Sequence, residues 1–251
     1  MEPAIPRYSR HTLLRVIGEE GQKRLEKSRV FVAGLGALGS MISVLLARAG
    51  VGFLRIADHD SPEIHNLHRQ ILYDESDTVS GLSKAEVAGR RLRAAASNVE
   101  IEAVTALIGP SNIMELIEGV DLVVDALDNA SARYVINDAI LARGVPYIFG
   151  GAVETCGNVM VIIPGETPCL RCLWPDPEAV ANHPRASTVG VLSSVATAVA
   201  SVEVTEAIKV LVGRYEDLLK GLLVMEFWRD QFCTMPVQCD PGCACRKVRR
   251  L

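Results

Sequence analysis

Gly34-Leu35-Gly36-Ala37-Leu38-Gly39 stands between the apolar run Arg29–Gly34 and a helical stretch, Ala37–Ala49, that stops at Gly50. A G-x-G-x-x-G loop that leaves a strand and opens a helix restricts the fold to one built on a phosphate-binding βαβ unit. The first glycine makes the tight turn, the second lets backbone approach a phosphate, and the third lets helix and strand pack closely. The amides of the helix N-terminus then face the anion. Asp58 ends the next apolar run, Phe53–Asp58, where an acid holds ribose hydroxyls.

The same alternation continues. Residues 8–27 read as short helices. Ser83-Lys84-Ala85-Glu86 is a capping box that opens a helix to about Ala96. Strands are expected at Glu100–Thr105, Leu122–Ala126 and Pro146–Phe149, with a helix over Ala130–Ala142. Alternating strands and helices predict an α/β fold with a Rossmann-like, mostly parallel sheet. Gly157–Ile163 adds a strand with no helix before it. A Pro-rich loop, Pro164 to Pro184, reads as a lid or crossover. A long helix then covers Leu192–Val212 and stops at Gly213. Leu222–Phe227 and Phe232–Val237 read as a terminal hairpin, adding antiparallel strands. No internal repeat or flexible linker interrupts the chain. It is expected to form one domain over residues 1–251, with N-terminal helices at 8–27 and a nucleotide-binding half at 29–150.

Charge and cysteine usage exclude several classes. With 26 Lys+Arg against 30 Asp+Glu the net charge is −4, which argues against general nucleic-acid binding. The one basic run, Arg246 to Leu251, reads as a solvated tail. Seven cysteines, five of them in close sets, do not form a secreted disulfide framework. Met1–Arg7 has no apolar h-region, so no signal peptide and a cytoplasmic location are expected. The charge-free stretch Ala186–Val202 carries six hydroxyl side chains and runs into Glu203, Glu206 and Lys209. It reads as a buried helix rather than a membrane span.

The residues after the second strand define the chemistry. Asn66-Leu67-His68-Arg69-Gln70 places a cation and amides close to Asp58. Lys84 stands in the first turn of a helix, where a cation opposes the helix dipole; its presence there points to a neighbouring anion. Asp128-Asn129 sits at the carboxyl end of the fourth strand, where open α/β sheets bind ligands. A glycine loop, two cations and an acid are the parts needed around a metal-bound triphosphate. Adenylation of a carboxylate uses all of them, because charge develops on the attacked α-phosphate and on the departing pyrophosphate. An NAD-dependent dehydrogenase shares the glycine loop but leaves Arg69, Lys84 and the cysteines unexplained. An inactive nucleotide-binding scaffold leaves the intact Arg69, Lys84 and Asp128 set unexplained.

Cys169-Leu170-Arg171-Cys172 can chelate one Zn²⁺ from a tight turn, and Cys239-Asp240-Pro241-Gly242-Cys243-Ala244-Cys245 can complete a tetrahedral site. Cys243 and Cys245 are favoured as the second pair, with Cys239 as substitute; a redox pair or free thiols is the competing reading. Four protein ligands make such a zinc structural. Cys156 and Cys233 lie in strand-like sequence and are expected to be buried and inert. His11, His59, His65, His68 and His183 show no metal-ligand pairing. Trp174 is expected to pack beside the metal.

Taken in order, GLGALG, DHDSPEIHNLHRQ, SKAE, DALDN, CLRC and GVL…EAIK resemble the MoeB/ThiF/HesA enzymes, bacterial relatives of ubiquitin-activating enzyme, from about Tyr8 to Cys245. The resemblance implies a homodimer that uses Mg²⁺ and ATP to adenylate the C-terminal glycine of a ubiquitin-like sulfur-carrier protein for molybdopterin, thiamin or related synthesis. The alternative it leaves open is adenylation of a small-molecule carboxylate. It implies that Gly34, Gly36 and Gly39 form the nucleotide loop. Asp58 would hold the ribose, Asn66, Arg69 and Lys84 the triphosphate, and Asp128 the magnesium, with Asn129 beside it. Arg10, flanked by Arg7 and Arg15, matches an arginine that reaches into the partner subunit's site. Residues 151–245 would form the carrier-binding and zinc half. The family has a second C-x-x-C where this chain has C-x-x-x-C-x-C. Many relatives also carry a cysteine four residues before Gly190-Val191-Leu192, where this chain has Ala186. Arg185, Ser187, Thr188 and Val189 are not thiols either. The reaction is therefore expected to stop at the acyl adenylate, with sulfur arriving from a separate persulfide donor or sulfide. A shifted alignment would give the thiol's part to Cys156 or Cys233.

Overall fold

The computed structural model describes residues 5–181 and 184–246. Met1–Ala4, His183 and the basic tail from residue 247 onward lie outside the described residues.

Two short helices, α1 (Ser9–Thr12) and α2 (Gly18–Leu25), lead into β1 (Arg29–Ala33). The alternating units follow: α3 (Ala37–Ala49), β2 (Phe53–Ala57), α4 (Lys84–Ala95), β3 (Glu100–Val104), α5 (Ile113–Leu116), β4 (Leu122–Asp125), α6 (Ala130–Arg143) and β5 (Tyr147–Val153). Next come β6 (Cys156–Ile162), three short helices, α7 (Leu170–Leu173), α8 (Pro177–Ala181) and α9 (Ala186–Val189), the long α10 (Ser193–Val212), β7 (Leu222–Glu226) and β8 (Gln231–Met235). Local signals set most boundaries. The helix α3 ends at Gly50 in the left-handed region, as α6 does at Gly144 and α10 at Gly213. A full capping box starts α4: the Ser83 hydroxyl accepts the Glu86 N–H while the Glu86 carboxylate accepts the Ser83 N–H.

The strands form one eight-stranded sheet in the order β3-β2-β1-β4-β5-β6-β7-β8. Pairing is parallel from β3 to β5 and antiparallel from β5 to β8. Strand residues alternate between two cores. Val30, Val32, Leu54, Ile56 and Val124 pack with residues of α3, α4 and α10 on one face. Phe31, Ala33, Val123, Tyr147 and Phe149 pack with residues of α5 and α6 on the other. The strand order reverses between β1 and β4. Their carboxyl ends therefore splay two loops apart, and the glycine loop and Asp128 border the crevice.

Three expectations change. The strand expected at Pro146–Phe149 continues to Val153, because β6 pairs with it along its whole length through Gly150 and Gly151. The stretch Ala186–Val202 is not one buried helix. It breaks at Gly190 (φ 86°), leaving the α9 residues with none buried and α10 as the covered helix. The Pro-rich loop folds into α7 and α8 and carries the first cysteine pair across to the second core. Among the described residues no helix is long and apolar enough to cross a membrane.

The glycine loop offers a direct stability test. A Cβ at Gly39 would lie 2.0 Å from the Gly34 carbonyl oxygen, whereas one at Gly109 would meet nothing within 4 Å. Gly39→Ala is expected to cost about 1–3 kcal/mol or more, seen as a Tm lower by several degrees in calorimetry. Gly109→Ala should stay within about 0.5 kcal/mol of the parent.

Candidate active site

Asp58 leaves β2 with 9% of its surface exposed and both carboxylate oxygens engaged. One accepts the Leu35 N–H of the glycine loop at 2.7 Å, the other the Asp60 N–H at 2.9 Å. Asp60 in turn sets Lys84. Its carbonyl accepts the Lys84 N–H at 2.7 Å and its carboxylate the Lys84 ammonium at 3.0 Å. The Lys84 side chain is only 6% exposed, so its charge is held at the cleft wall rather than in bulk water.

A one-turn 3-10 helix, Ile64–Asn66, carries the next group. The Asn66 side-chain carbonyl accepts Arg69 Nη2 at 2.6 Å, and the His65 carbonyl accepts Arg69 Nη1 at 3.2 Å. Burial pushes the Arg69 guanidinium below its usual range, and the Asp128 charge counters that shift. Tyr73 donates to the Leu35 carbonyl at 2.9 Å beneath the loop, and burial drives its phenol far up. Gln70, 4% exposed, lines the cleft with an unpaired side-chain oxygen.

These groups surround a cleft of about 880 Å³. Gly34, Gly36, Asp58, Asn66, Arg69, Lys84, Asp128 and Asn129 all line it. Gly39 does not; its place is the close contact with Gly34. Asn129 caps α6, its side-chain Oδ1 accepting the Ala132 N–H at 2.9 Å. Arg10 is exposed on α1 and does not line its own chain's cleft. His59 and His65 are exposed and line the rim, beside Asp60 and Glu63.

The floor holds residues that the motifs did not single out. Arg133 of α6 donates to the carbonyls of Leu127 (2.5 Å) and Gly150 (2.7 Å), tying the Asp128 loop to β5. Its Nε lies 2.8 Å from Asp125, an ion pair without hydrogen-bond alignment, and Asp125 is fully buried. Glu203 of α10 is also fully buried, and neither carboxylate oxygen has a hydrogen-bond partner. It lies flat against Gly150, where any Cβ would stand 2.2 Å from its carboxyl carbon. Burial, with the nearby Asp125 charge, pushes the Glu203 carboxyl well above the ordinary carboxylate range, and Arg133 only partly offsets this. Arg133 and Glu203 escaped notice because each is one polar residue in an otherwise regular helix.

The cysteines gather on the second core. Sγ atoms of Cys169, Cys172, Cys243 and Cys245 all lie within 4.8 Å of one another. Cys169 is 3.5 Å from Cys243 and Cys172 is 3.6 Å from Cys245. Tetrahedral zinc with Zn–S bonds of about 2.3 Å separates its sulfurs by roughly 3.8 Å, so this set fits the ion. Burial pushes the Cys169 thiol up to about 11. Burial also opposes ionisation of Cys172, yet backbone hydrogen bonding at Cys169 and Asp240 and its thiol neighbours bring it down to about 7. Trp174, just past this set, lines the cleft and packs edge-on against Phe149 with ring centroids 5.3 Å apart.

Of the other three cysteines, Cys156 and Cys233, expected to be buried, are not. Cys156 is half-buried where β6 leaves its turn, lines the cleft, and donates to the Glu226 carboxylate at 2.9 Å. Cys233 is exposed because β8 is the outermost strand, and among the described residues nothing covers it.

A doubly wound sheet with a glycine loop, paired cations and a carboxylate at its switch point defines a nucleotide-binding α/β protein. The chain belongs to the ThiF family, whose profile matches residues 8–245. It is 39% identical over 225 residues to the sulfur carrier protein ThiS adenylyltransferase of Bacillus subtilis, covering 90% of this chain and 66% of that one. It is 37% identical over 239 residues to the SAMP-activating enzyme E1 of Haloferax volcanii, covering 95% of this chain and 87% of that one. The E. coli MccB structure with ATP shares the fold, with a TM-score of 0.84 at 22% identity over 98% of this chain and 75% of that one.

Glu203 gives a pH-dependent prediction. A carboxyl whose pKa is raised by folding binds its proton more tightly folded than unfolded. Its contribution is complete below the unfolded value near 4.5 and declines as pH rises toward the folded value, by up to about 1.4 kcal/mol per unit. Glu203→Gln cannot titrate. Urea unfolding at pH 5, 6.5 and 8 should show the variant gaining on the parent with each step, whereas a constant difference would place an ionised carboxylate in the fold.

Proposed function

We propose that this chain adenylates the C-terminal glycine of a ubiquitin-like sulfur-carrier protein with ATP, releasing pyrophosphate. The observation that carries the reading is the convergence of the glycine loop, Arg69, Lys84 and Asp128 on one cleft. The relatives named as a sulfur carrier protein ThiS adenylyltransferase and a SAMP-activating enzyme E1 support the choice of acceptor.

In this reading the glycine loop and the N-terminus of α3 receive phosphate oxygens, and Asp58 receives the ribose. Arg69 and Lys84 stand against the triphosphate. Lys84 exchanges its Asp60 partner, which is half exposed, for phosphate as the nucleotide enters. Asp128 would hold magnesium, which when bound supplies further neutralisation of the phosphates. A carboxylate oxygen of the acceptor glycine attacks the α-phosphorus, the bond to the β-phosphate oxygen breaks, and the electron pair leaves with pyrophosphate. Arg69 and Lys84 stabilise the charge that develops there. No general base is needed, because the attacking carboxylate is already ionised. Asn66 orients Arg69 through their 2.6 Å hydrogen bond.

Several finer assignments belong to the same proposal. The chain acts as a homodimer in which Arg10 reaches the partner subunit's cleft. Zinc at Cys169, Cys172, Cys243 and Cys245 is structural, fastening the chain end to the wall that carries Trp174. Catalysis ends at the acyl adenylate, and a separate persulfide donor supplies sulfur. The protein works in the cytoplasm, without nucleic acid or membrane.

Exchange of labelled pyrophosphate into ATP tests the chemistry. Purified protein should catalyse it only with Mg²⁺ and an acceptor carrier. Asp128→Ala and Lys84→Ala should each lower the rate about 100-fold or more, with Tm little changed. Exchange with a small carboxylic acid alone would redirect the acceptor assignment, and undiminished exchange by the variants would remove both residues from the chemistry.

A further inference from the structure

Tetrahedral zinc takes four thiolates, and five cysteine sulfurs meet here. The fifth is Cys239. Its Sγ lies 3.3 Å from that of Cys245 and 3.9 Å from that of Cys172. It stands outside the set of four that are mutually within 4.8 Å. Cys245 is buried, whereas Cys239 is half-buried and reachable from solvent. A spare thiol at van der Waals contact with a metal ligand is well placed to react with it.

We propose that Cys239 is an oxidation site that releases the zinc: a peroxide oxidises it, and it then takes Cys245 from the metal as a disulfide. The steps balance. The Cys239 thiolate attacks one peroxide oxygen, the O–O bond breaks, and sulfenic acid and hydroxide form, the hydroxide taking up the proton that the thiol gave to solvent. The Cys245 sulfur attacks the sulfenic sulfur, an S–S bond forms, and hydroxide leaves and takes up a proton as water. Two thiolates, one hydrogen peroxide and two protons become one disulfide and two waters. Zinc is left with Cys169, Cys172 and Cys243, one ligand short of a closed structural site.

The geometry carries the event to the cleft. Gly165 N–H donates to the Cys245 carbonyl at 3.0 Å, so the chain end is fastened to the crossover through Cys245 itself. On the crossover, Leu170 N–H donates to the buried Asn137 of α6 at 3.0 Å, and the Trp174 carbonyl accepts the Tyr134 hydroxyl at 2.7 Å. Loss of the metal loosens the segment that holds Trp174 in the cleft wall. This inference rests on zinc at the four cysteines and is independent of which carboxylate is adenylated.

The test follows zinc rather than activity. Zinc per chain is measured first for wild type and Cys239→Ser. Both are then exposed to hydrogen peroxide with a colorimetric chelator present, and the wild-type product is mapped by non-reducing peptide mass spectrometry. About one zinc per chain is expected in both proteins. Wild type should release it with a Cys239–Cys245 disulfide, and Cys239→Ser should release it at least 10-fold more slowly. Wild type without zinc would remove the metal site itself. Zinc lost from untreated Cys239→Ser would make Cys239 a ligand, and equal release rates or a disulfide between other cysteines would overturn the switch. The mapping uses only wild type and decides the case even if the variant folds poorly; Cys239→Ala provides a second spare-thiol deletion.

Discussion

One carboxylate organises the cleft. Asp58 accepts the Leu35 N–H from the glycine loop and the Asp60 N–H from the loop after β2, so one residue fixes two walls. Asp60, placed this way, holds Lys84 by both backbone and side chain. The position of the buried ammonium thus traces back to Asp58, with Tyr73 bracing the glycine loop from below. Charge-assisted hydrogen bonds to backbone amides are the stronger kind, and in a partly desolvated site they hold geometry that an exposed pair would not. A ligand that displaces Asp60 from Lys84 meets a cation already in place.

Two other tethers complete the walls. Arg133 gathers the carbonyls on either side of the cleft floor, Leu127 before Asp128 and Gly150 in β5. Its charge is shared with Asp125, and the Glu203 carboxylate oxygens have no hydrogen-bond partner, so burial raises that carboxyl well above the ordinary range. The cysteine set fastens the far end of the chain to the crossover between β6 and α8. The cleft therefore depends on the antiparallel half of the sheet as well as on the doubly wound half.

Much of this was legible because local chemistry and fold agree. Ala37–Ala49 matched in full, since the glycine loop starts α3 and Gly50 ends it in the left-handed region. The Ser83 box marked α4 for the same reason. Motif residues converged on the cleft because loops at the carboxyl ends of adjacent parallel strands must meet. What was missed depends on packing between segments distant in sequence. The extension of β5 through Gly150 follows from pairing with β6 and from the Glu203 carboxyl lying against it. The exposure of Cys233 depends on β8 being an edge, which no local pattern announces. Cys156 looked like strand interior, yet its position beside the turn opens it to the cleft. Asp60 was visible only as one more acid in DHDSPE until its contact with Lys84 gave it a task.

The central claim is that this cleft orders a triphosphate between Arg69 and Lys84 with the ribose at Asp58. A crystal structure with magnesium and a non-hydrolysable ATP analogue tests it most directly. The account predicts ribose hydroxyls on the Asp58 carboxylate, Lys84 Nζ moved from Asp60 onto phosphate, and a metal ion on Asp128. An analogue bound with its phosphates away from Lys84 and Arg69, or with Lys84 still on Asp60, would contradict it.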